Sequence, residues 1–149
     1  MILVDTNVVS EVMRPKPSGV VLDWLNTTPT ATLYISSISI AEIEFGLQSL
    51  PDGQRRDFLT KRFEQFIEQG FEHRTLYFDA AAAFAYGDIM GRCRRAGRPM
   101  SILDGQIAAI TMANHATLAT RNVGDFSASG IDVINPWTEK SGRRNGRAL

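Results

Sequence analysis

The sequence holds a single cysteine, Cys93, two histidines and only three lysines, Lys16, Lys61 and Lys140. One cysteine excludes an internal disulfide and any metal site built on cysteine pairs. His73 and His115 fall in turns with no cysteine or serine partner nearby in sequence, which leaves a histidine-assisted nucleophile without support. No apolar run approaches the roughly 18 residues of a membrane helix. The first residues, Met1 to Asp5, carry neither a basic stretch nor a cleavage site, so secretion is not expected and a cytoplasmic protein is. Neither G-x-x-x-x-G-K-[ST] nor G-x-G-x-x-G occurs, which excludes nucleotide binding through those loops. There is no internal repeat and no low-complexity segment.

Net charge is also missing: 16 Lys plus Arg balance 16 Asp plus Glu. The balance hides an asymmetry. Residues 138–149 set Lys140, Arg143, Arg144 and Arg147 against Glu139, a net +3 that leaves −3 on the rest. A slightly acidic body does not attract phosphate polymers in bulk, so a nucleic-acid role requires local cations or a metal.

What is present is an ordinary globular composition, 44% apolar and 21% charged, at a length suited to one domain. That domain is expected over residues 1–137, with 138–149 as a basic, disordered C-terminal tail. Short apolar runs at Ile2–Val4, Leu33–Ser36, Thr75–Phe78, Thr117–Thr120 and Asp132–Ile134 read as strands. Between them lie helical patterns at Val8–Met13, after Ser18, from Ser39 through Leu50, over 54–69, after Asp79 to about Ala96, and from Ser101 to about Ala113. In the fourth of these, Phe58, Leu59, Phe63, Phe66 and Ile67 are expected on one apolar side. Alternating strands and helices imply an α/β fold in three layers, α/β/α, around a mostly parallel sheet of four to five strands. Ligands of such sheets sit beyond the carboxyl ends of the strands.

Four carboxylates fall at that edge. Asp5 follows the first strand, Glu42 follows the second, Asp104 lies in the first turn of the helix opened by Ser101, and Asp125 lies in the loop after the fourth strand. Such a cluster repels itself without a cation, and oxygen ligands without His or Cys suit Mg²⁺ or Mn²⁺ rather than zinc. The structural alternative is helix capping. Ser39-Ile40-Ala41-Glu42 and Ser101-Ile102-Leu103-Asp104 both fit S-x-x-[DE], in which the acid serves backbone N–H groups. Asp79 reads as a helix cap, Asp125 alone as a turn residue, and Glu11 and Glu44 as solvated or rim positions. It is the joint placement of four acids that points to a metal.

Two other chemistries place an aspartate after a first strand. Haloacid-dehalogenase-like phosphatases use Asp-x-Asp, where this chain has Asp5-Thr6-Asn7, and they share with receiver domains a lysine near a later strand end that is absent here. A covalent aspartyl-phosphate is therefore disfavoured.

Val4-Asp5-Thr6-Asn7, the segment Ile38 to Ile43, Phe45-Gly46-Leu47 through Leu50 to Arg56, Leu103 to Ala109, and Thr120-Arg121-Asn122 to Asp125-Phe126 together resemble PIN-domain ribonucleases, in the VapC toxin branch of VapBC toxin–antitoxin modules. The resemblance spans residues 1 to about 137. It implies the toxin of a toxin–antitoxin pair, a homodimer, an antitoxin that covers the acidic pocket, and Mg²⁺- or Mn²⁺-dependent endonucleolytic cleavage of RNA. Residue by residue, Asp5, Glu42 and Asp104 match the family's acidic triad. For the fourth group Asn122 and Asp125 compete, with Asp125 favoured as the acid and Asn122 as a supporting polar group. Asp5 and Asp104 are then direct metal ligands, while Glu42 and Asp125 complete a second site or hold the metal's water. Thr6 matches the small hydroxyl after the first aspartate.

Arg121 is the best-placed phosphate contact, and Arg92, Arg94, Arg95 and Arg98 form either an RNA or antitoxin rim or a solvated helix end. Ala80 to Ala85 suit a close helix approach, in the core or at a dimer surface. The rival readings are a PIN nuclease of RNA processing, a binding module whose acids only cap helices, and an Mg²⁺-dependent phosphatase.

Overall fold

The computed structural model describes residues 1–139, so all but the first two residues of the expected tail lie outside the described part. Five strands form one sheet: β1 (Ile2–Val4), β2 (Leu33–Ser36), β3 (Thr75–Leu76), β4 (Thr117–Ala119) and β5 (Asp132–Ile134). Their order is β3-β2-β1-β4-β5 and every pairing is parallel. The expected three-layer α/β/α arrangement is the one observed.

Six helices cover the sheet: α1 (Thr6–Val12), α2 (Gly19–Thr27), α3 (Ser37–Gln48), α4 (Gln54–Gly70), α5 (Ala80–Arg95) and α6 (Ile102–Ala113). Side chains alternate across a strand, so Val4 and Leu3 feed opposite cores. One core joins Val4 and Ile35 to α1–α4 through Val8, Val21, Leu47 and Phe63. The other joins Leu3 and Leu118 to α5 and α6 through Ile89, Cys93, Ile107 and Ile110. A parallel sheet buried on both faces needs apolar residues at consecutive strand positions, which is why the strands read as runs. Among the described residues no helix is long and apolar enough to cross a membrane.

The expected elements shift at their edges. The third strand ends at Leu76, short of Phe78. On α4, Phe58 is 61% exposed, unlike Phe63 at 3%, so the apolar side is narrower than its pattern suggested. A residue near a helix start meets the core only if something packs beside that turn.

Two helix ends matter for the site. The last turn of α5 closes with Gly97 in the left-handed region at φ 71°. The Arg98 N–H donates to Cys93 O at 2.9 Å and the Gly97 N–H to Arg94 O at 3.1 Å, the paired bonds of a Schellman end. The chain then reverses into α6, whose N-cap Ser101 accepts the Asp104 N–H at 3.2 Å. Gly105 lets the two helices meet closely, since a β-carbon there would stand 2.4 Å from Met90 Sδ and 3.0 Å from Tyr86 Cε2. This packing fixes the turn that carries Asp104.

Candidate active site

Asp5 stands at the end of the central strand, where its N–H extends the ladder to Ala119 O at 2.9 Å. Its side chain is only 5% exposed. One carboxylate oxygen accepts the Thr6 N–H at 2.8 Å, which caps α1, and the other accepts the Thr120 hydroxyl at 2.7 Å. Thr120 sits one residue past β4 and is fully buried. Its hydroxyl also accepts from Asn7 Nδ2 at 3.1 Å and from the Asn122 N–H at 3.1 Å. Asn7 Oδ1 in turn accepts the Arg121 N–H at 3.3 Å. Thr120 thus locks the Asp5 carboxylate and the loop after β4 into one network.

Glu42 is half-buried on the second turn of α3. The capping alternative fails for it, because the N-cap of α3 is Ser36, whose hydroxyl accepts the Ser39 N–H at 3.0 Å. Thr6 Oγ1 lies 2.9 Å from Ser39 Oγ and 3.1 Å from Glu42 Oε1. A hydroxyl has one proton and a carboxylate only accepts, so Thr6 donates to Glu42 and takes the Ser39 proton. A line of hydroxyls, Ser36, Ser39 and Thr6, therefore ends on the Glu42 carboxylate.

Asp104 is half-buried as well. It lines two adjoining cavities. One, of about 490 Å³, also holds Asp5, Glu42, Thr6, Arg14, Arg121 and Trp137. The other, of about 460 Å³, sets Asp104 beside Asp125, Arg98 and the Gly97 turn. Asp125 belongs to a short 3₁₀ turn, Val123–Phe126, anchored by the buried Phe126. Asn122 lines the first cavity and Asp125 the second.

Three of these carboxyls are pushed above their ordinary range. For Asp5 burial is the main cause, opposed by the Thr120 hydroxyl and the Thr6 N–H and reinforced by the charges of Asp104 and Asp125. Burial also leads for Glu42, where the Thr6 hydroxyl pulls down and Asp5 and Asp104 push up. For Asp104 burial leads again, countered by Ser101 and aided by Asp125. Asp5, Glu42 and Asp104 are each raised in part by the charge of another acid at these cavities. Among the described residues no three acidic, His or Cys side chains converge on one point. The donors at the cavities are carboxylate oxygens, which suit a hard cation that keeps several waters and takes one or two carboxylates directly.

The cations divide. Arg121 is exposed at the first cavity, and Arg98 lines the second. Arg92 serves the fold instead. Its Nε meets Asp88 at 3.1 Å and its Nη2 donates to Ser129 O at 3.3 Å, tying α5 to the chain after Asp125. Arg94 and Arg95 are exposed at the end of α5. Of the two positions expected for Glu11 the rim holds and the solvated one does not: it lines the first cavity but is buried, accepting the Ser18 N–H at 3.0 Å and Arg14 Nη1 at 3.2 Å. Burial pushes its carboxyl up, but these donors outweigh that and hold it below its ordinary range. Asp79 is the cap expected of it, accepting the Ala82 N–H at 2.9 Å.

Sequence reasoning missed Thr120 as a site residue and Trp137 altogether. Replacing Thr120 with valine keeps the shape and removes both the donor to Asp5 and the acceptor for Asn7 and Asn122. We expect a loss of about 1–3 kcal/mol in stability, read by chemical denaturation, with recovery in Thr120→Ser.

Comparison with known proteins places this geometry. The profile of the PIN domain matches residues 2–128. The chain is 43% identical over 137 residues to the plasmid stability protein StbB of Pseudomonas syringae pv. tomato, covering 92% of this chain and 99% of that protein. It is 39% identical to the VapC ribonuclease Y4jK of Sinorhizobium fredii, over 92% of this chain and 98% of the relative. The crystal structure of FitAcB from Neisseria gonorrhoeae superposes with a TM-score of 0.88 at 38% identity, covering 93% of this chain and all (100%) of the matched one.

Proposed function

The chain belongs to the PIN-domain family, in the branch of the VapC and FitB toxins, and from that premise we propose that it is a metal-dependent endoribonuclease acting as the toxin of a type II toxin–antitoxin module. PIN-domain nucleases generally use divalent metal ions, and we assign Mg²⁺, with Mn²⁺ as a substitute, to this one. One observation carries the reading. Asp5, Glu42 and Asp104, delivered by three separate elements to the carboxyl edge of the sheet, line one cavity and are held above their ordinary pKa range by burial and by acidic neighbours. Buried carboxyls that raise one another's pKa in a cavity mark a candidate functional site.

The chemistry required is hydrolysis of a phosphodiester by an in-line water. A divalent ion held by Asp5 and Asp104, with Glu42 and Asp125 completing the set, would lower the pKa of water and offset charge on the reacting oxygens. The chain's own part is placement. Thr120 and the Thr6 N–H orient both oxygens of Asp5, and the Thr6 hydroxyl orients Glu42. Asp104 and Asp125 face the adjoining cavity, where Arg98 offers a charge to the RNA backbone. Asp5 and Asp104 are our direct metal ligands, with Glu42 and Asp125 completing the set.

The proposed partners are an antitoxin and a second copy of the chain. FitB, a relative at 39% identity, is named a toxin, and the FitAB structure that superposes on this chain is bound to a DNA fragment. Phe84 on α5, Phe45 on α3 and Ile102 on α6 are 83, 76 and 65% exposed, apolar surface for such partners to cover.

The test is cleavage of a mixed RNA pool by purified protein with Mg²⁺, with Mn²⁺ and with EDTA. Cutting that requires the ion is the expected result. Cutting undiminished by EDTA, or binding of RNA with no cutting by any ion, overturns the assignment.

A further inference from the structure

Arg121 and Trp137 leave the sheet side by side. The last residues of β4 and β5, Ala119 and Ile134, are partners in register. The Thr120 N–H continues the pairing to Ile134 O at 2.9 Å. Beyond β5 the chain turns at Asn135, whose side-chain oxygen accepts the Trp137 N–H at 3.0 Å. Its carbonyl accepts the N–H groups of Thr138 and Glu139, and Pro136 is buried in the turn. The indole is half-buried against the core beneath α1–α4. Over its ring lies the Arg121 guanidinium, its carbon 5.2 Å from the ring centroid.

The pair borders the same cavity as Asp5, Glu42 and Asp104. Among the described residues Arg121 makes no ion pair, whereas Arg14, which lines the same cavity, is paired with the buried Glu11 at 3.2 Å. A phosphate contact needs only the charge. A guanidinium held over an aromatic ring, next to a cavity, instead offers the combined cationic and aromatic surface on which unpaired bases stack.

We propose that Arg121 on Trp137 is a nucleobase platform, on which a base of single-stranded RNA next to the scissile phosphate stacks. The proposal rests on the endoribonuclease reading and adds to it the residues that would hold a base, which must be unpaired because bases in a duplex have both faces covered. Arg121 also answers an electrostatic need, drawing a polyanion to a cavity whose other charges are acids and the Arg14–Glu11 pair.

Arg121→Lys keeps the charge and loses the plane, on an exposed side chain whose replacement leaves the core untouched. With single-stranded RNA as substrate, Arg121→Lys and Trp137→Ala are expected to raise KM by about five- to a hundredfold, with kcat little changed. A second readout needs no metal and no cleavage. Trp24, the other tryptophan, is buried at 9% exposure, so quenching of emission by RNA in EDTA reports on Trp137. A random-sequence RNA of about ten nucleotides should quench the wild-type emission. The same length built of abasic ribose should not, and Trp137→Phe should show no RNA-dependent change.

A wild-type KM in Arg121→Lys reduces the pair to a phosphate contact and overturns the platform. So does equal quenching by the abasic chain. Unchanged KM in both variants with loss of binding to the co-expressed antitoxin reassigns the surface to a protein. If RNA quenches emission in the base-dependent way but no ion supports cutting, the platform stands and the nuclease reading falls.

Discussion

Asp5→Asn should reduce RNA cleavage by a hundredfold to a thousandfold or more, on the order of what removal of a central charge-stabilising group costs an enzyme. The substitution is nearly isosteric and removes the carboxylate at the end of the central strand, which borders the first cavity and is almost wholly out of water. Its effect on stability is the more informative number. Neutralising Asp5 relieves a buried charge that sits near Asp104 and Asp125. It also introduces an amide N–H₂ toward Thr120 Oγ1 and Asn7 Nδ2, at 2.7 and 3.4 Å from the present oxygen. Thr120 already accepts two N–H groups, so one hydrogen bond becomes a mismatch worth about 0.5–1.5 kcal/mol. The two effects oppose, and the metal-free variant should unfold within about 1 kcal/mol of wild type at neutral pH. A dead variant of unchanged stability locates the loss in chemistry. Wild-type cutting by Asp5→Asn would end the metal-site reading.

The sheet was legible because each strand is buried on both sides and so appears as an apolar run, and because a parallel sheet brings every strand's carboxyl end to one edge. Asp5, Glu42, Asp104 and Asp125 could be placed at that edge without coordinates. The hydrogen bonds among them could not. Thr120 reaches Asp5 across 115 residues of sequence, and nothing local distinguishes it from any other strand-end threonine. Glu42 shows the reverse failure: Ser39-x-x-Glu42 satisfies a capping pattern, yet Ser36 starts the helix and Ser39 is spent on it. The solvated position expected for Glu11 fails for the same reason. Its burial depends on the Ser18 N–H returning from the loop after Pro15 and Pro17. Trp137 had a signal, an aromatic three residues past a strand end in Asn135-Pro136-Trp137, but its meaning comes from Arg121 just beyond the neighbouring strand.

The raised carboxyls also predict how metal and pH act together. Asp5, Glu42 and Asp104 each hold a proton more tightly in the folded chain than in the unfolded one. The folded state therefore binds more protons between the ordinary carboxylate range and the raised native values, and unfolding free energy falls as pH rises through that window. Below the unfolded pKa the penalty is absent; above the folded pKa it is fully in force. A divalent cation offsets the same penalty by neutralising the ionised acids, so its stabilising effect should be small at acid pH and grow as the acids lose their protons. With Mg²⁺ at about 100 times its dissociation constant, the gain should approach about 2.7 kcal/mol at neutral pH or above. The shift in Tm between Mg²⁺ and EDTA, measured from pH 4 to pH 8, should widen with pH in the wild type and be largely lost in Asp5→Asn. A shift of equal size at every pH would mean that the ion binds somewhere other than these three carboxylates.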